Sequence, residues 1–172
     1  MKILRLSLLL LLCGNSLLSF PQSLRPAVTP TITRDGFTLK QEHDSLYWLN
    51  DWRLPYPVYH FDTGDVDGDG KADAMVGVIK STRYFPEKGR RLFIFKLVNG
   101  KARPLWMGSK LGGTLQDFRF VDGRIRSLET TADSLYVVAE YRWSGFGMAF
   151  ERFILKNADE ATANKAFLSQ KE

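Results

Sequence analysis

The densest chemistry in the chain is the stretch Asp65-Val66-Asp67-Gly68-Asp69-Gly70-Lys71-Ala72-Asp73. Carboxylates stand at loop positions 1, 3, 5 and 9. Alternate spacing lets a tightly curled loop aim each of them inward, and Gly70 at position 6 permits the sharp turn. The backbone carbonyl of Lys71, at position 7, adds a fifth oxygen. Calcium is a hard cation that takes six to eight oxygens at about 2.3–2.6 Å. Four carboxylates this close repel one another unless a cation sits among them. Magnesium, with its smaller octahedral shell and retained waters, fits less well. The alternative is a solvated acidic turn. Five protein oxygens leave little open coordination, so the metal would fix a loop and not perform chemistry.

The elements that must position this loop read as strands. Val58 to Phe61 precedes it and Ala74 to Ile79 follows it. Asn99-Gly100 and Asp122-Gly123 are strong hairpin turns, because a type I′ turn needs positive φ at both central residues. Ser144-Gly145 marks a looser third turn. The segment Phe95 to Leu105 aligns with Phe118 to Leu128, a weak internal repeat whose unit reads as one hairpin. Leu92 to Leu97 and Tyr136 to Ala139 are apolar at successive positions, which means sheets covered on both faces. The fold class expected is all-β: an antiparallel hairpin meander of propeller-blade-like or sandwich-like stacked sheets. A short C-terminal helix or frayed tail follows from 158 to 172. Counting reversals puts the Asp-rich loop and the turns near 99, 122 and 144 at one end of the sheets.

Position 12 of the loop is Val76, where a helix–loop–helix EF-hand carries a bidentate Glu, and the flanks are strands. The stretch Phe61-Asp-Thr-Gly-Asp-Val-Asp-Gly-Asp-Gly-Lys-Ala-Asp-Ala-Met-Val-Gly77 resembles the FG-GAP or VCBS repeat. That repeat is the unit of integrin-α-type β-propellers and of many exported bacterial proteins. The resemblance implies an Asp-rich loop joining two strands of a blade. It implies calcium held by Asp65, Asp67, Asp69, Asp73 and the Lys71 carbonyl. The family usually carries several copies, and this chain carries one. A propeller of about seven blades at roughly 50 residues each exceeds the chain. Two or three blade-like sheets, or assembly with another copy, fit its 172 residues.

Other residue groups bear on function. Tyr141, Arg142, Trp143 and Phe146 would crowd the rim near the loop, able to meet a sugar or a peptide carboxylate, or simply to pack as a turn. Trp52 to Tyr59, stiffened by Pro55 and Pro57, is a ligand platform or core lining. Glu140 and Glu151 fall on two strands of one hairpin and could act as a paired acid. Arg142 and Arg152 beside them equally suggest cross-strand ion pairs. His60 is a candidate base or a structural histidine. Ser109 lacks the strand–turn–helix context of a nucleophile elbow, and Gly112-Gly113 lacks the helix of a phosphate loop. Cys13 is the only cysteine, and His43 and His60 are the only histidines. Internal disulfides, multi-cysteine zinc sites and three-histidine metal sites are therefore excluded.

Lys2, Arg5 and the apolar run to Leu12 read as an export signal over 1–19, too short to span a membrane. Cys13 followed by Gly14 allows a lipoprotein signal ending before it. Residues 20–34, with Pro21, Pro26 and Pro30, read as a tether, and 35–157 as the β domain. Loss of Lys2 and Arg5 with the signal lowers the net charge of +5 by two. The clusters Lys88, Arg90, Arg91 and Arg119, Arg124, Arg126 read as solvated strand faces. The expectation is an exported, periplasmic or cell-surface, calcium-binding interaction module. Its ligand is an unknown protein or carbohydrate; nucleic acid is not a partner, and the membrane is met only through a lipid anchor at Cys13. A small carbohydrate-active hydrolase or lyase is the less favoured second reading. A subunit of a cell-surface complex, its blade set completed by a partner, is the third.

Overall fold

A computed structural model describes residues 30–83, 85–108 and 111–169. The expected export signal over 1–19, Cys13 and Ser109 lie outside the described residues. Twelve strands and one helix follow in chain order: β1 (Thr31–Arg34), β2 (Phe37–His43), β3 (Leu46–Leu49), β4 (Trp52–Leu54), β5 (Val58–Gly64), β6 (Asp73–Lys80), β7 (Gly89–Val98), β8 (Lys101–Trp106), β9 (Thr114–Val121), β10 (Arg124–Thr130), β11 (Tyr136–Trp143), β12 (Met148–Ala158) and α1 (Glu160–Leu168). They form three four-stranded antiparallel sheets, β1–β4, β5–β8 and β9–β12, each a simple meander. Among the described residues no helix is long and apolar enough to cross a membrane.

The apolar runs have the meaning expected of them. On β6, Ala74, Val76 and Val78 pack with Phe37, Leu39 and Leu49 of the first sheet. The intervening Met75 faces Phe118, Ile125 and Ala139 of the third. On β7, Phe93 and Phe95 join the first core, while Leu92 and Ile94 join the second. Alternation along each strand thus feeds two cores, one on either face of the middle sheet. Each fully buried Leu, Ile or Phe contributes roughly 1.5–3 kcal/mol.

Helix α1 covers the far face of the third sheet, with Ala163 and Phe167 against Leu128 and Val138. Asp159 caps its start by accepting the Thr162 N–H at 2.9 Å. Two arginines serve its other end. Arg119 donates to the carbonyls of Phe167 and Leu168, and Arg126 to that of Ser169. Arg126 is buried, not part of a solvated basic face, because it lies between the Glu140 carboxylate and the Ser169 carbonyl.

One boundary and the repeat unit differ from the sequence reading. Strand β1 takes up the last residues of the expected tether, since Asp35-Gly36, with φ of 46° and 83°, turns it back onto β2. The internal repeat is also not the architectural one. Phe95–Leu105 spans the third and fourth strands of one sheet, whereas Phe118–Leu128 spans the first and second of the next. The similarity follows the shared turn chemistry; the structural repeat is the four-strand sheet.

Candidate metal centre

The Asp-rich loop joins β5 to β6, with Gly64 opposite Asp73 in the ladder. Asp65 curls it by accepting the N–H groups of Gly68 at 2.8 Å and Gly70 at 2.9 Å. Gly68 and Gly70 stand at φ of 78° and 81°, where a side chain is strained. Val66 is buried in the second core and pins the loop from below. The Val66 N–H donates to Asp73 Oδ2 at 3.0 Å.

Three of the five expected ligands converge. Asp65, Asp67 and Asp73 each offer an oxygen, and the three lie within 4.8 Å of one another. That spacing is close enough for one metal ion to touch all three, without specifying which ion. Asp69 is not in that group: Oδ1 accepts the Lys71 N–H at 2.9 Å, and Oδ2 meets Lys96. Lys71 enters the hydrogen bonding through its N–H and is exposed. Asp73 is fully buried. Its Oδ1, like Asp67 Oδ1, has no hydrogen-bond partner among the described residues. Burial pushes the Asp73 carboxyl up to about 6, aided by the Asp67 charge and opposed by the Val66 N–H and Lys96.

Lys96 was not foreseen. It stands on β7, and its Nζ lies 2.5 Å from Asp67 Oδ2, 2.7 Å from Asp69 Oδ2 and 3.9 Å from Asp73 Oδ1. Burial works against its charge, but the bonds to Asp67 and Asp69 outweigh burial and raise its pKa. The same ammonium holds the Asp69 carboxyl below its ordinary value. In sequence the only signal was a lysine inside the apolar run Leu92 to Leu97.

A shallow cleft of about 420 Å³ runs from Asp65 and Asp67 past Phe120 and Gly123 to Arg142 and Trp143. The loop and the 122 and 144 turns therefore share one end of the molecule. Tyr141 is not at this rim; it is buried in the second core, and Phe146 is fully exposed. Trp52 and Tyr56 line the first core, beside Phe95 and Phe93.

The other candidates resolve into structural roles. Glu140 binds Arg126 and Arg152, while Glu151 binds Arg124, so the two acids sit in separate ion pairs. His60 Nδ1 is 2.5 Å from Asp117, and its ring stacks on Phe118. The N–H groups of Gly112 and Gly113 go to Tyr141 and Glu129. Sequence reasoning also missed a cavity of about 650 Å³ beside Glu129, Tyr141, Phe150 and Phe153. Irregular pairing along β11 and β12 carries both phenylalanines to it, which simple alternation forbids. Glu129 there is satisfied by Ser127, Tyr141 and Gly113.

No family model, no curated protein and no solved structure matches the chain.

Proposed function

We propose that the chain is an exported all-β interaction module whose 65–73 loop holds one structural calcium ion. The observation that carries the reading is the pair of buried carboxylate oxygens, Asp67 Oδ1 and Asp73 Oδ1, that lack hydrogen-bond partners among the described residues. A buried carboxylate oxygen left without a hydrogen bond is costly, and a divalent cation held between the two would offset that cost. The resemblance of Phe61 to Gly77 to the FG-GAP or VCBS repeat supports the same choice of ion. Asp65, Asp67 and Asp73 would hold it, with Asp69 and the Lys71 carbonyl as the further oxygens implied by that resemblance. Bound calcium supplies charge neutralisation and fixes the loop. The chain's own residues then present Arg142, Trp143 and Phe120 beside it as the surface for a protein or carbohydrate ligand.

Flow dialysis of the full chain against radioactive calcium tests the reading. One ion per chain is expected, with a dissociation constant of about 10⁻⁴–10⁻³ M, as in extracellular modules. Asp67→Ala should lose that binding. Absence of binding to the folded wild-type chain at about 5 mM calcium overturns it.

A further inference from the structure

The Asp-rich loop already contains a cation. Lys96 Nζ makes two hydrogen bonds, one to Asp67 and one to Asp69, and stands 3.9 Å from the buried Asp73. It reaches the loop because Leu92, Ile94 and Lys96 share one face of β7, the face packed toward the third sheet. The strand begins in core and ends in the carboxylates. One ammonium does not balance the loop. Three carboxylates, Asp67, Asp69 and Asp73, lie within 4 Å of it, and Asp73, though completely buried, keeps an oxygen without a hydrogen bond. A divalent ion held at Asp65, Asp67 and Asp73 would share Asp67 with the ammonium. Its oxygens would lie about 2.3–2.6 Å away, which brings the two positive charges into close repulsion.

We propose that Lys96 is a resident competitor for the cation: its ammonium neutralises the loop when metal is absent and must leave before a divalent ion can bind. The proposal rests on the calcium reading of the same loop. Lys96 therefore weakens calcium binding while organising the loop without it. The chain stays folded in low calcium, and the loop exchanges one cation for another when calcium rises.

The test is calcium flow dialysis on the full chain, wild type beside Lys96→Met, with thermal unfolding of each in chelator. Lys96→Met should bind calcium at least about tenfold tighter, a difference of about 1.4 kcal/mol, and melt lower in chelator. Equal affinity overturns the competitor role and leaves the calcium reading standing. Binding by Lys96→Met alone supports the competitor role in its strongest form and overturns the calcium reading for the wild type. Binding by neither folded protein overturns both. Should Lys96→Met fail to fold, amine labelling of the wild type by acetic anhydride decides. Calcium should speed modification of Lys96 as the ammonium leaves the loop; an unchanged rate overturns the proposal.

Discussion

Arg126 and Glu140 face each other across β10 and β11, both almost wholly buried, and are joined by two hydrogen bonds of 3.0 and 2.7 Å. Arg152 adds a third, at 2.8 Å, to the other carboxylate oxygen. Because Arg126 also holds the Ser169 carbonyl, the pair ties the third sheet to the end of α1.

Glu140→Gln should destabilise the domain by about 3–5 kcal/mol, since it leaves the buried Arg126 guanidinium without its carboxylate counter-charge. Burial opposes ionisation of Glu140, but the two guanidinium groups outweigh burial and hold its pKa below 4.5. The stability it contributes is therefore present above that value and lost as pH falls through the lower folded one. Urea unfolding from pH 6 to pH 3 should show a loss that Glu140→Gln lacks. Identical pH profiles would assign the acid sensitivity to other groups.

Asp73→Asn should separate metal binding from folding. Burial raises the Asp73 carboxyl from 3.8 to about 6, so its ionisation costs stability that is lost as pH rises from 3.8 through about 6 and is constant above. Metal-free wild type should lose this component between pH 4 and 7. Asparagine stays neutral and can still accept the Val66 N–H. The variant should therefore match or exceed wild type in chelator at pH 7 and show no response to calcium. Calorimetric unfolding in both media checks it.

Phe167→Ala should cost about 3–5 kcal/mol, because the ring is buried between α1 and the third sheet. Removing it exposes Leu128 and Val138. Chemical denaturation measures the loss; a change under about 1 kcal/mol would mean that α1 contributes little to the core.

Gly123→Val isolates backbone strain. Gly123 has φ of 76°, and nothing lies within 4 Å of a Cβ built there. The whole cost, about 1–2 kcal/mol, is that of a β-branched residue in the left-handed region. Gly64→Ala should be worse for a different reason, since its Cβ would enter the Phe120 ring. An unchanged melting temperature for Gly123→Val would contradict the type I′ turn.

The strands, the hairpin turns and the covered sheets were legible because each depends on local pattern: alternation, Asn-Gly, Asp-Gly and apolar runs. The Asp loop was legible for the same reason. Lys96 was not, because nothing within Leu92 to Leu97 says that its end meets a loop 27 residues earlier in the chain. The burial of Arg126 was hidden in the same way, since its partners come from β11 and the end of α1. Phe150 and Phe153 share a cavity only because of local irregularities in β12 pairing, which alternation cannot reveal.

The most direct measurement is thermal unfolding of the full chain in about 5 mM calcium against excess chelator. At a dissociation constant of about 0.1–1 mM, linkage gives roughly 1–2 kcal/mol of stabilisation, a shift of a few degrees. The account expects that upward shift, absent in Asp67→Ala. Superimposable wild-type curves in the two media would contradict a calcium site in this loop.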